Sequence, residues 1–267
     1  MEKPVKFTMT ALTVMLATTL FISAAKSQVP PIPMTIDGYV LVRRIDGTNK
    51  TVPAGFAVYA KEGTTVINVQ DPQNRWITNA SGYFILGASA SSDGVPIDLW
   101  VENINVTRII FRQGTFLTLN LTVIDTAPPT ISNPYQNPPG QTIQPGETVE
   151  IEAGFNITVK VSVTDFCIEK VSLYYNISAT EWKEIQMNPA SGEYVATIPS
   201  SSYPPCTTIQ YYIEAVDLAG NAAQTPTAGV YFASHIIPEY QKIVSTSILP
   251  IITLITALAK KRKKENL

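Results

Sequence analysis

The side chains that could perform acid–base or nucleophilic chemistry are few and widely spaced. His235 is the single histidine of the 267 residues, so a Ser-His-Asp or Cys-His centre would have to use it, beside the C-terminal apolar run. One histidine and two cysteines are too few ligands for a zinc site, and no glycine-rich loop with its lysine predicts phosphate binding. We therefore predict a protein that is not an enzyme and needs no cofactor.

Carboxylates are the remaining candidates for catalytic groups. Glu147, Glu150 and Glu152 cluster around a predicted edge strand. A glycosidase could use such a pair, but a solvated strand face or a weak calcium site explains the cluster more simply.

Aspartates offer a second choice for a cation. Asp217 and Asn221 bracket a predicted turn, which Asx side chains favour without any metal. Calcium at Asp165 or Asp217 is an alternative. The oxygen ligands are not densely spaced as in a dedicated loop, so we predict no metal site.

Three tryptophans could stack on a sugar. Trp76, Trp100 and Trp182 would form a carbohydrate platform if they met on one surface, whereas packing in a sandwich core or on a strand face is commoner.

Two kinds of covalent modification are open to a secreted chain. Cys167 and Cys206 could form a disulfide, although in a fibronectin-like strand order they lie at opposite ends of neighbouring strands, so both states stay open. Six Asn-x-Ser/Thr sequons fall in turns or on polar strand faces, where each could carry a glycan or serve as polar filler. They are Asn49, Asn79, Asn105, Asn120, Asn156 and Asn176.

Both ends of the chain are hydrophobic. Residues 1–27 read as a secretory signal, with Lys3 and Lys6 before an apolar stretch and a predicted cut after Ser27, the alternative being an uncleaved helix. Residues 243–259 predict a membrane anchor, followed by a basic tail at 260–267 that would stay in the cytoplasm; a packed C-terminal helix is the alternative. The run Ile237-Pro238-Glu239-Tyr240 before the anchor resembles the Pro-Glu-Phe sorting signal of archaeal surface proteins, which implies an archaeal source and processing of the tail.

Composition supports folded domains between these ends. Apolar residues make up 45% and charged residues only 15%, with 20 prolines. Residues 28–242 hold 11 basic and 19 acidic side chains, a net charge of −8, which argues against a nucleic-acid partner.

Period-two alternation predicts strands rather than helices. It runs through residues 117–123, 157–163 and 171–175, with Gly-bearing turns between. The paired prolines in Asp125-Thr126-Ala127-Pro128-Pro129-Thr130 predict a stiff boundary between domains at 30–125 and 126–233.

Each half resembles a known family. Ile36-Asp37-Gly38-Tyr39-Val40 and Ser81-Gly82-Tyr83-Phe84 resemble carboxypeptidase-regulatory or transthyretin-like β-sandwiches. Lys170-Val171-Ser172-Leu173-Tyr174-Tyr175 and Ala215-Val216-Asp217-Leu218-Ala219-Gly220-Asn221 resemble fibronectin type III or Ig-like modules of microbial surface proteins. The resemblances imply two tandem antiparallel β-sandwiches flanked by a signal helix and a transmembrane helix.

The predicted function is non-catalytic. A cell-surface protein held in the membrane would display two sandwiches for adhesion, envelope structure or interaction with an extracellular protein or glycan. The alternatives are a carbohydrate-binding or polysaccharide-processing accessory, with or without calcium, and a non-binding subunit of a larger enzyme.

Overall fold

The structure is a computed structural model that describes residues 32–238. Over that range the chain forms twenty strands and one short 3-10 helix, Ser200–Ser202, so the prediction of an all-β protein is confirmed. The predicted signal segment 1–27, anchor 243–259 and tail 260–267 lie outside the described residues. Within residues 32–238, no helix has the length and hydropathy of a membrane span.

The strands are closely spaced and range from two to ten residues, as alternating apolar residues and Gly-bearing turns predict. Up to residue 124 they are β1 (Met34–Arg43), β2 (Asn49–Thr51), β3 (Val58–Glu62), β4 (Thr65–Val66), β5 (Tyr83–Ala88), β6 (Pro96–Val101), β7 (Ile104–Ile110), β8 (Phe116–Thr118) and β9 (Leu121–Ile124). The next are β10 (Thr130–Asn137), β11 (Gln141–Thr142), β12 (Thr148–Glu152), β13 (Ile157–Thr164), β14 (Ile168–Ile177) and β15 (Lys183–Gln186). The last are β16 (Asn188–Ala190), β17 (Glu193–Ile198), β18 (Thr208–Asp217), β19 (Ala222–Thr225) and β20 (Phe232–Ile237).

The first nine strands form two sheets. One has the order β2-β1-β5, with β8 and β9 also pairing with β1, and the other has the order β4-β3-β6-β7. Strand β1 buries alternate residues, and Gly38 is one of the buried positions. The backbone of Leu119 approaches closely there. A Cβ at Gly38 would lie 2.1 Å from the carbonyl oxygen of Leu119, so the site accepts only glycine.

The later strands form a β-sandwich. Its sheets have the orders β11-β10-β13-β17-β16 and β12-β20-β18-β14-β15, with β19 on β18. Both sheets send alternate apolar side chains into one core. The alternations predicted over 157–163 and 171–175 are confirmed as β13 and β14. Core members from these two strands are Ile157, Val159, Val161, Val171, Leu173 and Tyr175.

The expectation of purely antiparallel sheets is wrong at two places. Strand β8 pairs with β1 in parallel, and β12 pairs with β20 in parallel. Parallel neighbours need a long connection that crosses to another part of the fold, and both pairs are far apart in sequence. Local alternation carries no information about such pairings.

The described residues pack as two compact units. The first unit contains residues 32–39 and 55–121, and the second contains residues 40–54 and 122–238. The hairpin between β1 and β2 therefore belongs to the second unit, although it is encoded near the start of the chain. The sequence-based domain division at 125/126 stays a prediction.

Candidate functional site

Three aspartates of the second unit bring their carboxylates together. Asp125 follows β9, Asp165 follows β13, and Asp217 is the last residue of β18. One carboxylate oxygen of each lies within 4.8 Å of one from each of the others. We call this group the aspartate cluster.

Asp217 is held firmly by the turn that follows it. Its Oδ1 accepts hydrogen bonds from the backbone N–H groups of Gly220 at 2.7 Å and Asn221 at 2.8 Å. Its Oδ2 accepts one from the Asn221 side chain at 2.7 Å. The same Asn221 amide also donates to the backbone oxygen of Asp125 at 3.2 Å, so one side chain ties two segments of the cluster together.

Asp165 is less completely bonded. Its Oδ1 accepts a hydrogen bond from the backbone N–H of Phe166 at 2.7 Å. Its Oδ2 is buried and has no hydrogen-bond donor among the described residues. Burial raises the pKa of the Asp165 carboxyl, and the charges of Asp125 and Asp217 raise it further.

The surroundings do not neutralise this charge. The nearby cations Arg44 and Lys50 both bind Glu169, at 2.9 and 2.7 Å. Burial, together with Asp165 and Asp217, raises the pKa of the Cys167 thiol to about 11. That thiol is protonated at neutral pH and offers no anionic sulfur ligand.

Sequence spacing found only part of this site. It raised Asp165 and Asp217 as an alternative for calcium and missed Asp125, since the three come from segments 40 or more positions apart. One signal in the sequence could have found the site: each aspartate stands at the end of a predicted strand or at the predicted domain boundary.

The glutamates lie where the sequence placed them but form no catalytic pair with His235. Strand β12 is an edge strand, and Glu147, Glu150 and Glu152 are all exposed. His235 lies within β20, where it is paired in register with Glu150 on one side and Thr208 on the other. Within residues 32–238 its side chain makes no hydrogen bond to a serine, cysteine or carboxylate.

The three tryptophans are divided between the two units. In the first unit, Trp76 contacts Tyr59 at 5.6 Å between ring centroids, and Lys61 Nζ lies 3.8 Å from the centroid of Trp100. Trp182 belongs to the second unit. The contacts of Trp76 and Trp100 agree with the commoner alternative that the sequence offered, packing on other side chains of their own unit.

Trp182 has other aromatic partners. Its ring lies 5.0 Å from that of Tyr212 and 4.9 Å from that of Tyr231. Tyr174 of β14 stacks on Tyr212 of β18 at 4.9 Å, with the ring planes 13° apart. All four rings are half-buried. We call them the aromatic cluster.

Asn176 is buried, contrary to the expectation that the sequon asparagines lie exposed in turns or on polar strand faces. It lies two residues after Tyr174 on the same face of β14, but it is only 4% exposed, and its buried Oδ1 has no hydrogen-bond donor among the described residues. Alternation correctly placed Asn176 on the face of β14 that points away from the core. It carries no information about which other side chains bury that face. The other sequon asparagines are exposed, namely Asn49, Asn79, Asn105, Asn120 and Asn156.

The cysteines are free thiols, Cys167 buried and Cys206 exposed. Cys167 precedes β14 and Cys206 precedes β18, which pair antiparallel from Ile168↔Asp217 to Ile177↔Ile209. The two residues therefore sit at opposite ends of this strand pair, roughly 30 Å apart at 3.3 Å per residue, far beyond disulfide reach. Of the two open states, the structure has the unbridged one.

An open cleft occupies the first unit. Its volume is about 300 Å³, and its wall includes Arg75, Tyr83 and the sequon residue Asn79. Arg75 is paired with Asp71 at 2.9 Å, and the Tyr83 hydroxyl donates to Asp37 at 2.6 Å. That hydrogen bond raises the pKa of Tyr83, so the phenol is not poised to act as a base.

Comparisons with known proteins reveal likeness only at the level of structure. No protein family model matches the sequence, and no curated protein matches it. A titin fragment is 12% identical, with 77% of this chain and 96% of that one covered and a TM-score of 0.29. A 1.5-MDa bacterial ice-binding adhesin is 15% identical, covering 77% and 65%, with a TM-score of 0.25. The chicken CNTN1 FN1-FN3 domains are 13% identical, covering 73% and 67%, with a TM-score of 0.26.

Proposed function

We propose that the protein is a non-catalytic cell-surface protein that displays two β-sandwich modules for adhesion, envelope structure or protein interaction. One observation carries this proposal: in residues 32–238 the side chains singled out above for catalysis do not meet in one site. His235 lies in a sheet, the Cys167 thiol is buried and protonated, and the glutamates of β12 stand exposed without a nucleophile.

The membrane arrangement belongs to the same proposal. A signal at 1–27 would send the chain outward, an anchor at 243–259 would hold it, and the basic tail 260–267 would stay inside. The Pro-Glu-Tyr sequence before the anchor would mark it for sorting, as on archaeal surface proteins. The first module would be of the carboxypeptidase-regulatory type and the second of the fibronectin type III or Ig-like type.

Protease treatment of intact cells tests this arrangement. We expect protease to remove residues 32–238 without lysis. Replacing Lys260–Lys264 with neutral residues should release part of the protein into the medium, since each basic residue costs about 2.5–3.5 kcal/mol at the membrane centre. Domains that survive until the cells are lysed would contradict the orientation.

Carbohydrate binding is the second candidate. The aromatic cluster favours it, because half-buried tyrosine and tryptophan rings stack on sugars while neighbouring polar groups bind hydroxyls.

A glycan array probed with the full chain separates the two candidates. Saturable binding that Trp182→Ala abolishes and the matched Trp76→Ala retains would establish carbohydrate recognition by the aromatic cluster. Equal loss of glycan binding in both variants, or no binding by the unchanged chain, would contradict this candidate and favour the non-catalytic display of the two modules.

A further inference from the structure

We propose that Asp125, Asp165 and Asp217 bind one calcium ion. The site lies wholly within the second unit, and the proposal does not depend on where the protein is located or which partner it displays.

The first argument is charge. Three carboxylates whose oxygens lie within 4.8 Å of one another repel when ionised, and the burial of Asp217 beside the half-buried Asp125 and Asp165 strengthens the repulsion. Among residues 32–238, no lysine or arginine forms an ion pair with any of them, because Arg44 and Lys50 are taken up by Glu169. A bound cation would balance this arrangement.

The second argument is an unused acceptor. Oδ2 of Asp165 is buried and receives no hydrogen bond from the described residues, while Asp217 is only 1% exposed. Buried acceptors are normally satisfied, so an orphaned carboxylate oxygen beside two other carboxylates indicates a missing positive ligand. Hydrogen bonds position the other two segments, because the Asn221 amide donates both to the Asp217 carboxylate and to the backbone oxygen of Asp125.

The ligand chemistry selects calcium. The group offers three carboxylates, and hard cations prefer oxygen ligands. Calcium accepts six to eight oxygens in an irregular shell, whereas magnesium demands a near-ideal octahedron. Asp217 already accepts three hydrogen bonds and has about one lone pair left, so the shell would be irregular and completed by water. Such a site falls in the weak range of extracellular modules, with a Kd of about 10⁻⁴–10⁻³ M.

Thermal unfolding of the full chain in detergent tests the site. In 10 mM calcium chloride we expect a Tm about 3–10 °C above that in EDTA, from mass action at roughly 10–100 times Kd. Asp165→Asn should abolish this shift. Asp125→Asn should abolish it too, and its amide oxygen still accepts the Ala127 hydrogen bond, so the fold is spared. Glu150→Gln removes an equal charge from exposed β12 and should keep the full shift.

Titration calorimetry measures the stoichiometry and the affinity. We expect one calcium ion per chain in the unchanged protein. Both aspartate variants should bind calcium at least tenfold more weakly. The proposal is overturned if calcium leaves the Tm unchanged. It is equally overturned if 10 mM magnesium chloride gives the same rise, which would indicate screening, or if the aspartate variants respond as Glu150→Gln does.

Discussion

Asp165 makes the stability of the second unit depend on pH at the scale of a single residue. Burial, followed by the charges of Asp125 and Asp217, raises its pKa above the unfolded value. A raised carboxyl pKa stabilises the fold fully below the unfolded pKa, and this contribution is lost as pH rises through the folded pKa. Without a cation, neutral pH therefore penalises the aspartate cluster.

We predict that Asp165→Asn stabilises the chain in EDTA at pH 7. The Tm should rise by about 2–4 °C, the shift that ~1 kcal/mol produces in a chain of this size, because the like-charge repulsion is removed. At pH 3 the wild-type carboxyl is protonated, so the difference should disappear. A variant that melts lower than wild type at pH 7 in EDTA would show that the carboxylate is needed for packing.

Gly38 is a second position where one atom decides stability. Its φ is +155°, and an added Cβ would meet the backbone of Leu119, which cannot move aside as a side chain could. We expect Gly38→Ala to cost about 3 kcal/mol or more in the free energy of unfolding, from steric overlap added to backbone strain. Gly47→Ala is the matched control: it shares a positive φ, has nothing within 4 Å, and should cost only about 1 kcal/mol by denaturant unfolding.

Strands are the scale at which sequence was most informative. Alternation located β13 and β14 because each has one face on the core. It failed over 117–123, where the chain forms β8 and β9 with a break between them at the approach of Leu119 to Gly38. Alternation also gave no information on the aromatic rings that pack around Tyr174 on the polar face of β14. Tyr212 comes from β18, and Trp182 and Tyr231 come from other segments.

The sequon asparagines differ in solvent exposure, which leads to a prediction about glycans. Asn49, Asn79, Asn105 and two further sequon asparagines are exposed, whereas Asn176 is 4% exposed. We expect glycopeptide mass spectrometry of the native protein to detect sugars on the exposed set and a bare Asn176, since a buried side chain leaves no room for a bulky sugar. A glycan on Asn176 would mean that modification precedes folding of β14.

Contacts distant in sequence dominate at the scale of the whole molecule. The aspartate cluster joins three segments, and Glu169 joins β14 to Arg44 and Lys50 of the early hairpin. Neither can be found by spacing, since the approach of such segments is a property of strand order. The alternation that predicts each strand is silent on that order.

Glu169 gives this long-range contact a measurable energy. Burial alone would raise its pKa, but hydrogen bonds from Lys50 and Arg44 outweigh burial and lower it. Its stabilisation is therefore present at neutral pH and lost as pH falls through the folded pKa. We predict that Glu169→Gln costs about 0.5–1 kcal/mol at pH 7, given partial solvent screening, and nothing near pH 2. An equal cost at both pH values would point to packing rather than charge.

The early hairpin also has a consequence for biosynthesis. The backbone N–H of Ile45 donates to the carbonyl oxygen of Ala219, so this hydrogen bond can form only after some 170 further residues have been translated. At about 5–20 residues per second, the nascent chain waits on the order of ten seconds before that hydrogen bond can form. During translation the second unit therefore closes last, around a segment that was among the first to be synthesised.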